Sequence, residues 1–278
     1  MSSLIEQVRS SLTEAIDNDQ LVLPTLPEVA LKIREAAEDP DVDVASFCKV
    51  IESDAAISAR IIKVTNSPLF RASQPIEDLR MAVNRLGITY TCNLATGLAM
   101  EQMFQATTQV VDGLLREVWN DSTAIAAIAY VLAKQYTILK PDQATLAGLV
   151  HLIGVLPILT YAEEHRELLS NTDKLREIIR ALHPEIGVRI LKKWDFPDEL
   201  VEVPAQYGHL DREIPTADYA DLITVATLHN AHGSEHAWSD IDLSTVTAFD
   251  RLGLDSDIYS ADDNDMQEHI EMTTDAFQ

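Results

Sequence analysis

Apolar positions recur at three- and four-residue intervals along almost the whole chain, and no segment sustains a two-residue alternation, so the pattern predicts helices and no sheet. Residues 3–16 put Leu4, Ile5, Val8, Leu12 and Ile16 on one face, an amphipathic first helix that must dock on another element. Pro24 and Pro27 then hold the chain extended. A helix is expected straight after Pro27, with Glu28 in its first turn, a buried stripe of Val29, Ile33 and Ala37, and a stop at Asp39 and Pro40. A short helix over 42–52 follows, with Asp41 and Asp43 as caps, and then another capped by Ser53 or Asp54. Ile57, Ile61, Ile62 and Val64 form its apolar face, and Asn66, Ser67 and Pro68 break it. Ile76, Leu79, Ala82, Val83 and Leu86 mark the next, with Gly87 as a left-handed cap, and residues 88–104 continue as a mostly apolar helix.

The same period carries on into the second half. Residues 110–136 support one long helix, with Leu114, Leu115, Val118, Trp119, Ile125, Ile128, Ala129 and Leu132 on or near its buried side. Pro141 and Asp142 lead into residues 146–159, which read LAGLVHLIGVLPIL and are apolar on every side except for His151. These 14 residues fall short of the roughly 20 that cross a bilayer, so a helix buried all round by other helices is expected. Gly154, able to turn left-handed, and Pro157, lacking an N–H, limit its far end. The ring of His151 needs a hydrogen-bond partner or a metal, since an unpaired buried polar group costs about 1–3 kcal/mol. Helices over 175–182, 184–194, 197–206, 217–231 and 244–252 complete an all-α fold of about a dozen helices.

Composition narrows what such a fold does. The chain of 278 residues can bury a substantial core and is near the size at which one domain divides into two lobes. It carries 45 acidic against 21 basic side chains, a formal charge of -24, which disfavours nucleic acid and anionic lipid as partners. Cys48 and Cys92 sit in helical patterns with no CxxC or Cys/His spacing and read as reduced, buried thiols. The opening MSSLIEQVRSSLTEAI carries charges throughout and lacks the apolar core of a signal peptide, and no later stretch reads as long enough to span a membrane, so a cytoplasmic protein is expected. Residues 255–278 hold eight acidic side chains and no Lys or Arg, an acidic tail read as solvated or loosely helical around Met266, Ile270 and Phe277.

Two blocks carry a family resemblance. LPTLPEVALKIREAAEDPDVDVASFCKVIESDAAISARIIKVTNSPLF, followed by PIEDLRMAVNRLG, resembles the HDOD domain, the HD-related output domain of bacterial signal transduction. The LPxLP opening, the DAAISARIIKVTNSP helix and the AVNRLG turn occur in the family's order, and the resemblance runs over about residues 23–231. It implies an N-terminal helical lobe over 1–108 and an HD-like helical bundle over 109–254, ahead of the tail. The second half is similar to the HD and HD-GYP metal-dependent phosphohydrolases, which hold one or two metal ions with a histidine on one helix, a His-Asp pair on a second and an aspartate on a later one. Imidazole and carboxylate donors there bind a divalent ion that generates hydroxide near neutral pH.

Carried over residue by residue, the resemblance puts Asp121 where the first histidine belongs, two positions after Trp119. The His-Asp pair falls on His151 and Leu152, and the final aspartate on Asp221 within ADYADLITVA. His183, in HPEIGVRIL, takes the place of an additional histidine ligand of HD-GYP phosphodiesterases, while the paired histidines expected later are replaced by Gln206, Tyr207, Gly208 and His209. Leu152 offers only apolar surface where a metal-binding carboxylate is required. The resemblance thus implies a remnant site with no catalytic residue, no cofactor and no metal, any residual cation falling to Asp121, His151, His183 and Asp221. His151 is then expected to be a core histidine bonded to Asp121 or Asp221.

Other constellations are weaker. His229, His232 and His236 recur at three- and four-residue spacing, but Gly233 is expected to end the helix between them and leave a solvated run. No glycine-rich phosphate loop and no GxSxG elbow occurs, and Trp119, Trp194 and Trp238 read as packing residues. The function expected is that of a non-catalytic bacterial regulator acting through protein–protein interaction. Its partners would be signalling proteins, such as response regulators or cyclic di-nucleotide enzymes acting in trans, with the groove between the lobes and the acidic tail as contact surfaces. The alternative is a divergent metal-dependent phosphohydrolase, or a cyclic di-nucleotide phosphodiesterase or binding module. A nucleotide binder would need basic residues near the old site, where Arg189, Lys192 and Lys193 share a neighbouring helix.

Overall fold

The computed structural model describes residues 2–18, 20–67, 70, 74–106, 108–232 and 238–255. Among the described residues every regular element is helical and none is a strand. The first part of the chain runs α1 (Ser2–Asp17), α2 (Glu28–Glu38), α3 (Val44–Ile51), α4 (Ala55–Thr65), α5 (Leu79–Leu86) and α6 (Ile88–Ala99), the last continued by a 3-10 turn at Met100–Met103. Aspartates start three of these helices: Asp43 accepts from the Ser46 N–H, Asp54 from Ala56 and Ile57, and Asp78 from Met81. Each puts an acceptor and a negative charge at the helix's positive end. The buried face of α2 is Ala30 and Ile33, with Val29 and Ala37 only partly covered, so the stripe is turned by one position from the Val29, Ile33, Ala37 pattern. Gly87 joins α5 to α6 at φ 86° and ψ 158°, so its φ is positive as expected, but its backbone is extended and not a left-handed turn.

The second part runs α7 (Gln109–Tyr136), α8 (Pro141–Val150), α9 (Val155–Glu164), α10 (Arg166–Leu169), α11 (Thr172–Lys193), α12 (Asp198–Val201), α13 (Val203–Gln206), α14 (Tyr219–Ala231) and, after a 3-10 turn at Leu243–Thr245, α15 (Thr247–Leu252). The apolar stretch 146–159 is two helices and not one. Helix α8 ends at Val150, residues 151–154 turn, and Pro157 lies in the first turn of α9, where a missing N–H forfeits no intrahelical bond. Gly154 is right-handed at φ -65°. The opposite happens at Pro184, which α11 runs straight through. Leu175, Ile178 and Leu182 before the proline and Ile186, Ile190 and Leu191 after it are all buried, and that burial outweighs the roughly 3 kcal/mol an internal proline costs. Residues 197–206, expected as one helix, form α12 and α13.

Helices α7 and α8 form the centre; α14 covers both, α6 lies against α8 with α2 upon it, and α11 packs on α9 and α13. One buried apolar cluster runs through all of this from Val8 to Leu254. Helix α1 docks on α11 at the far side of the sequence. Cys48 and Cys92 are buried, free thiols, as their spacing predicted. Contrary to the sequence reading, Pro141–Glu164 has the length and apolarity to cross a bilayer, an 18-residue window within it reaching a mean hydropathy of 1.8, but 83% of that window is buried inside the protein. The acidic tail from residue 256 onward, with Met266, Ile270 and Phe277, lies outside the described residues.

Candidate functional site

The end of α8 carries His151 into the interior, where the residue is 1% exposed. Helix α8 reaches that deep because Gly148 has no side chain: a Cβ there would lie 2.4 Å from the Ala126 Cα of α7. The His151 Nδ1–H donates to the Gly148 carbonyl at 2.6 Å, so the ring caps its own helix and does not use Asp121 or Asp221 as expected. A carbonyl only accepts, which puts the proton on Nδ1 and the lone pair on Nε2. Burial drives the pKa down to about 4, only partly opposed by the bond to Gly148.

His183 lies in the middle of α11, opposite the turn that follows His151. Gly154 makes the approach possible, since a Cβ there would meet the His183 carbonyl oxygen at 2.1 Å and the Gly187 nitrogen at 2.6 Å. Tyr207, just after α13, sits against both imidazoles, with ring centroids 5.1 Å from His151 and 5.9 Å from His183. Its hydroxyl shares a hydrogen bond of 3.2 Å with His183 Nε2, and Trp238 stacks on the ring. Burial, and then the neighbouring charge of His151, hold the His183 pKa down to about 3. Burial and then the charge of Asp121 push the Tyr207 phenol far up. Whichever tautomer His183 adopts, its Nδ1 has no hydrogen-bond partner among the described residues, and neither does the buried Ser122 hydroxyl next to Asp121 in sequence.

Asp221 is engaged elsewhere. Fully buried in the first turn of α14, it forms a reciprocal capping box with Asp218, each side chain accepting from the other's backbone N–H. Its two carboxylate oxygens take a bidentate clamp from Arg251, both bonds 2.8 Å, and Oδ1 a third bond from Arg212 at 3.1 Å. Arg212 also pairs with Asp218. Asp121, part-buried on α7, accepts from Asn230 of α14 at 3.4 Å. Leu152 packs against the core.

Of the five positions taken from the resemblance, His151 and His183 are therefore gathered around Tyr207, with the charge of Asp121 felt there, while Asp221 is committed to arginine. Among the described residues no three His, Cys, Asp or Glu side chains are arranged to hold a metal ion. The carboxylates do not fit a divalent cation: the position paired with His151 is leucine, and Asp221 has both oxygens in guanidinium bonds, although the free Nε2 of His151 is a competent donor. Arg189 and Lys192 are paired with Asp17 and Glu202. Helix α14 ends at Ala231 and His232 has left the helical conformation, while Gly233 and His236 lie outside the described residues. Trp119 packs on Phe104, and Trp194 donates its ring N–H to the Pro24 carbonyl at 3.0 Å.

Tyr207, Arg212 and Arg251 are the site residues that sequence reasoning missed. In the sequence Tyr207 registers only as the absence of a histidine. Arg212 and Arg251 belong to no motif, and their one signal is basic charge near a buried aspartate, which becomes visible only once α14 and α15 are brought together.

The all-helical fold and the sequence together define the class. Residues 23–209 match the HDOD domain family, and the chain belongs to it. A protein of Shewanella amazonensis SB2B, named provisionally as a metal-dependent phosphohydrolase, is 34% identical with a TM-score of 0.89, and the match covers both chains in full. A Marinobacter aquaeolei VT8 protein, named provisionally for signal transduction, shares the fold at 23% identity and a TM-score of 0.68, over 98% of this chain and 64% of its own. A relative in Treponema pallidum (strain Nichols) is 25% identical over 238 residues, 81% of this chain, which spans only 44% of that relative's length.

Proposed function

We propose that this chain is a regulatory HDOD protein that acts by binding another protein and hydrolyses no phosphoester. The reading rests on the fate of two carboxylates: one position of the His-Asp pair is Leu152, and the other carboxylate, Asp221, is neutralised by Arg212 and Arg251. A divalent ion would have to displace two fixed guanidinium groups to reach it, and without an ion nothing lowers the pKa of an attacking water. The HDOD match and a neighbour named for signal transduction favour a bacterial signalling role. Its partners are then cytoplasmic signalling proteins, response regulators or cyclic di-nucleotide enzymes acting in trans. At a formal charge of -24, a basic face on the partner would speed encounter.

The name of the Shewanella amazonensis relative makes hydrolysis the competing reading. Metal content per chain on tag-free protein, with turnover of bis(p-nitrophenyl) phosphate in added Mn²⁺ and Mg²⁺, decides between them. The expected result is metal far below one ion per chain and no turnover. Stoichiometric metal with turnover that disappears in His183→Asn would overturn the proposal.

A further inference from the structure

Away from the histidines, a cleft of about 230 Å³ opens between α2, α6, α8 and the corner joining α11 to α12. That volume lies below the roughly 300–1,000 Å³ of pockets for drug-sized ligands, so it suits a group the size of a single heterocycle. Its walls are built from both ends of the sequence: Arg34 from α2, Asn93 and Thr96 from α6, Gln143 and Leu146 from α8, and Phe196 from the corner.

The polar groups are pre-oriented. Asn93 Nδ2 donates to Asp142 at 2.7 Å, which fixes the amide and leaves its Oδ1 as an acceptor. The Tyr219 hydroxyl receives the Lys140 N–H at 3.2 Å and donates to Gln143 Oε1 at 2.6 Å, which leaves the Gln143 NH₂ as a donor. Thr96, 1% exposed, lies beside the Cys92 thiol, with which it interacts, and its hydroxyl makes no well-formed hydrogen bond among the described residues. A buried hydroxyl left unpaired costs about 1–3 kcal/mol, which a ligand that bonds it would recover. Arg34 is held flat, donating to the Trp194 and Asp195 carbonyls at 2.8 and 3.0 Å, with its guanidinium 5.1 Å from the Phe196 ring centroid. The carboxylate of Glu38 also lines the cleft, so its formal charge is balanced, and in a chain at -24 it does not attract a phosphate.

An acceptor, a donor and a weakly engaged hydroxyl around a small cleft of balanced charge match the edge of a planar heterocycle. We infer that this cleft binds an uncharged, nucleobase-type heterocycle, its donor–acceptor edge meeting Asn93, Gln143 and Thr96. The site shares no residue with the His151 and His183 cluster and stands whether or not that cluster is catalytic.

The test is titration of the full chain with adenosine, guanosine, cytidine and uridine separately, followed by amide NMR shifts, for wild type, Thr96→Val and Gln143→Leu. Thr96→Val is isosteric and deletes a hydroxyl that makes no well-formed hydrogen bond and interacts with the Cys92 thiol, so this variant keeps its fold, and its melting temperature checks that it does. At least one nucleoside is expected to bind wild type with a Kd below about 1 mM, and each variant to weaken it about fivefold or more, the worth of one hydrogen bond. No binding by any of the four, or binding that survives both substitutions unchanged, would overturn the inference.

Discussion

The carbonyl of Gly148 and the apolar walls around it decide the state of His151: neutral, with its proton on Nδ1. Burial pushes His151 and His183 down to about 4 and about 3 in the folded protein, and the part-buried His229 down to about 4. In the unfolded chain a histidine titrates near 6.5, so between these values the unfolded state binds more protons. The contribution of each imidazole to stability is therefore complete above about pH 6.5 and is lost as the pH falls toward 4. By pH 5 the loss is roughly 2 kcal/mol per histidine. Urea midpoints measured from pH 7 to pH 5 should fall accordingly, with a shallower fall in His151→Asn. A flat profile would mean that the imidazoles take up protons inside the fold. Close approach is the other lesson at this scale. Gly154→Ala drives a methyl into the backbone of His183 and Gly187 and should cost about 3 kcal/mol or more. Gly113→Ala, inside α7 with nothing near its Cβ, should gain about 0.5–1 kcal/mol, so denaturation of the pair separates steric contact from helix propensity.

Among the elements, α14 depends most on one side chain. Asp221 closes the capping box and accepts from the two arginines that tie α15 and the preceding loop to it, each of them about one-tenth exposed. Asp221→Asn removes the charge but keeps the shape, leaving Arg251 without its counter-ion and Arg212 with Asp218 alone. Breaking a buried pair from one side costs about 3–5 kcal/mol. Chemical denaturation should show a loss of that size, and Arg251→Met in the same background should recover part of it, since fewer uncompensated charges remain. Recovery of nothing would show that Arg251 contributes by packing alone. The break between α8 and α9 is an element-scale decision of the same kind. A run apolar on every side has no preferred face, and the crossing of α9 over α11 at Gly154 is what places the turn.

At the scale of the whole molecule, α1 is joined to the second half through α11. Arg9 meets Glu185 at 3.3 Å and Arg189 pairs with Asp17, both exposed ion pairs, while Val8, Leu12 and Ile16 are buried. Exposed pairs contribute at most about 1 kcal/mol, and a buried Leu→Ala change costs about 2–5 kcal/mol. Thermal melts should therefore separate Leu12→Ala, strongly destabilised, from Arg9→Ala, nearly unchanged. Equal effects would place the docking energy in the charges. The nucleobase-type cleft belongs to this scale as well, because its walls come from α2 and from the α11–α12 corner, more than 150 positions apart in sequence.

The sequence by itself determined that the fold is all-helical, where most helices begin, and that the chain is HDOD-like, because periodicity, aspartate caps and prolines act within a few residues of one another. It also determined that His151 is followed by Leu152, an apolar residue with no donor to offer, since residue identity needs no coordinates. Only the tertiary structure decided the rest. Pro184 lies inside a helix because distant residues bury both of its flanks. The stretch 146–159 breaks because α11 crosses at Gly154, and Gly87 is extended because α6 begins at once. His151 takes a backbone carbonyl, and Asp221 is bound to Arg212 and Arg251, which lie nine and thirty positions from that aspartate. Local pattern specifies which elements form. Which polar groups meet is set by the packing of elements far apart in the chain, where burial and unsatisfied hydrogen bonds carry the largest energies.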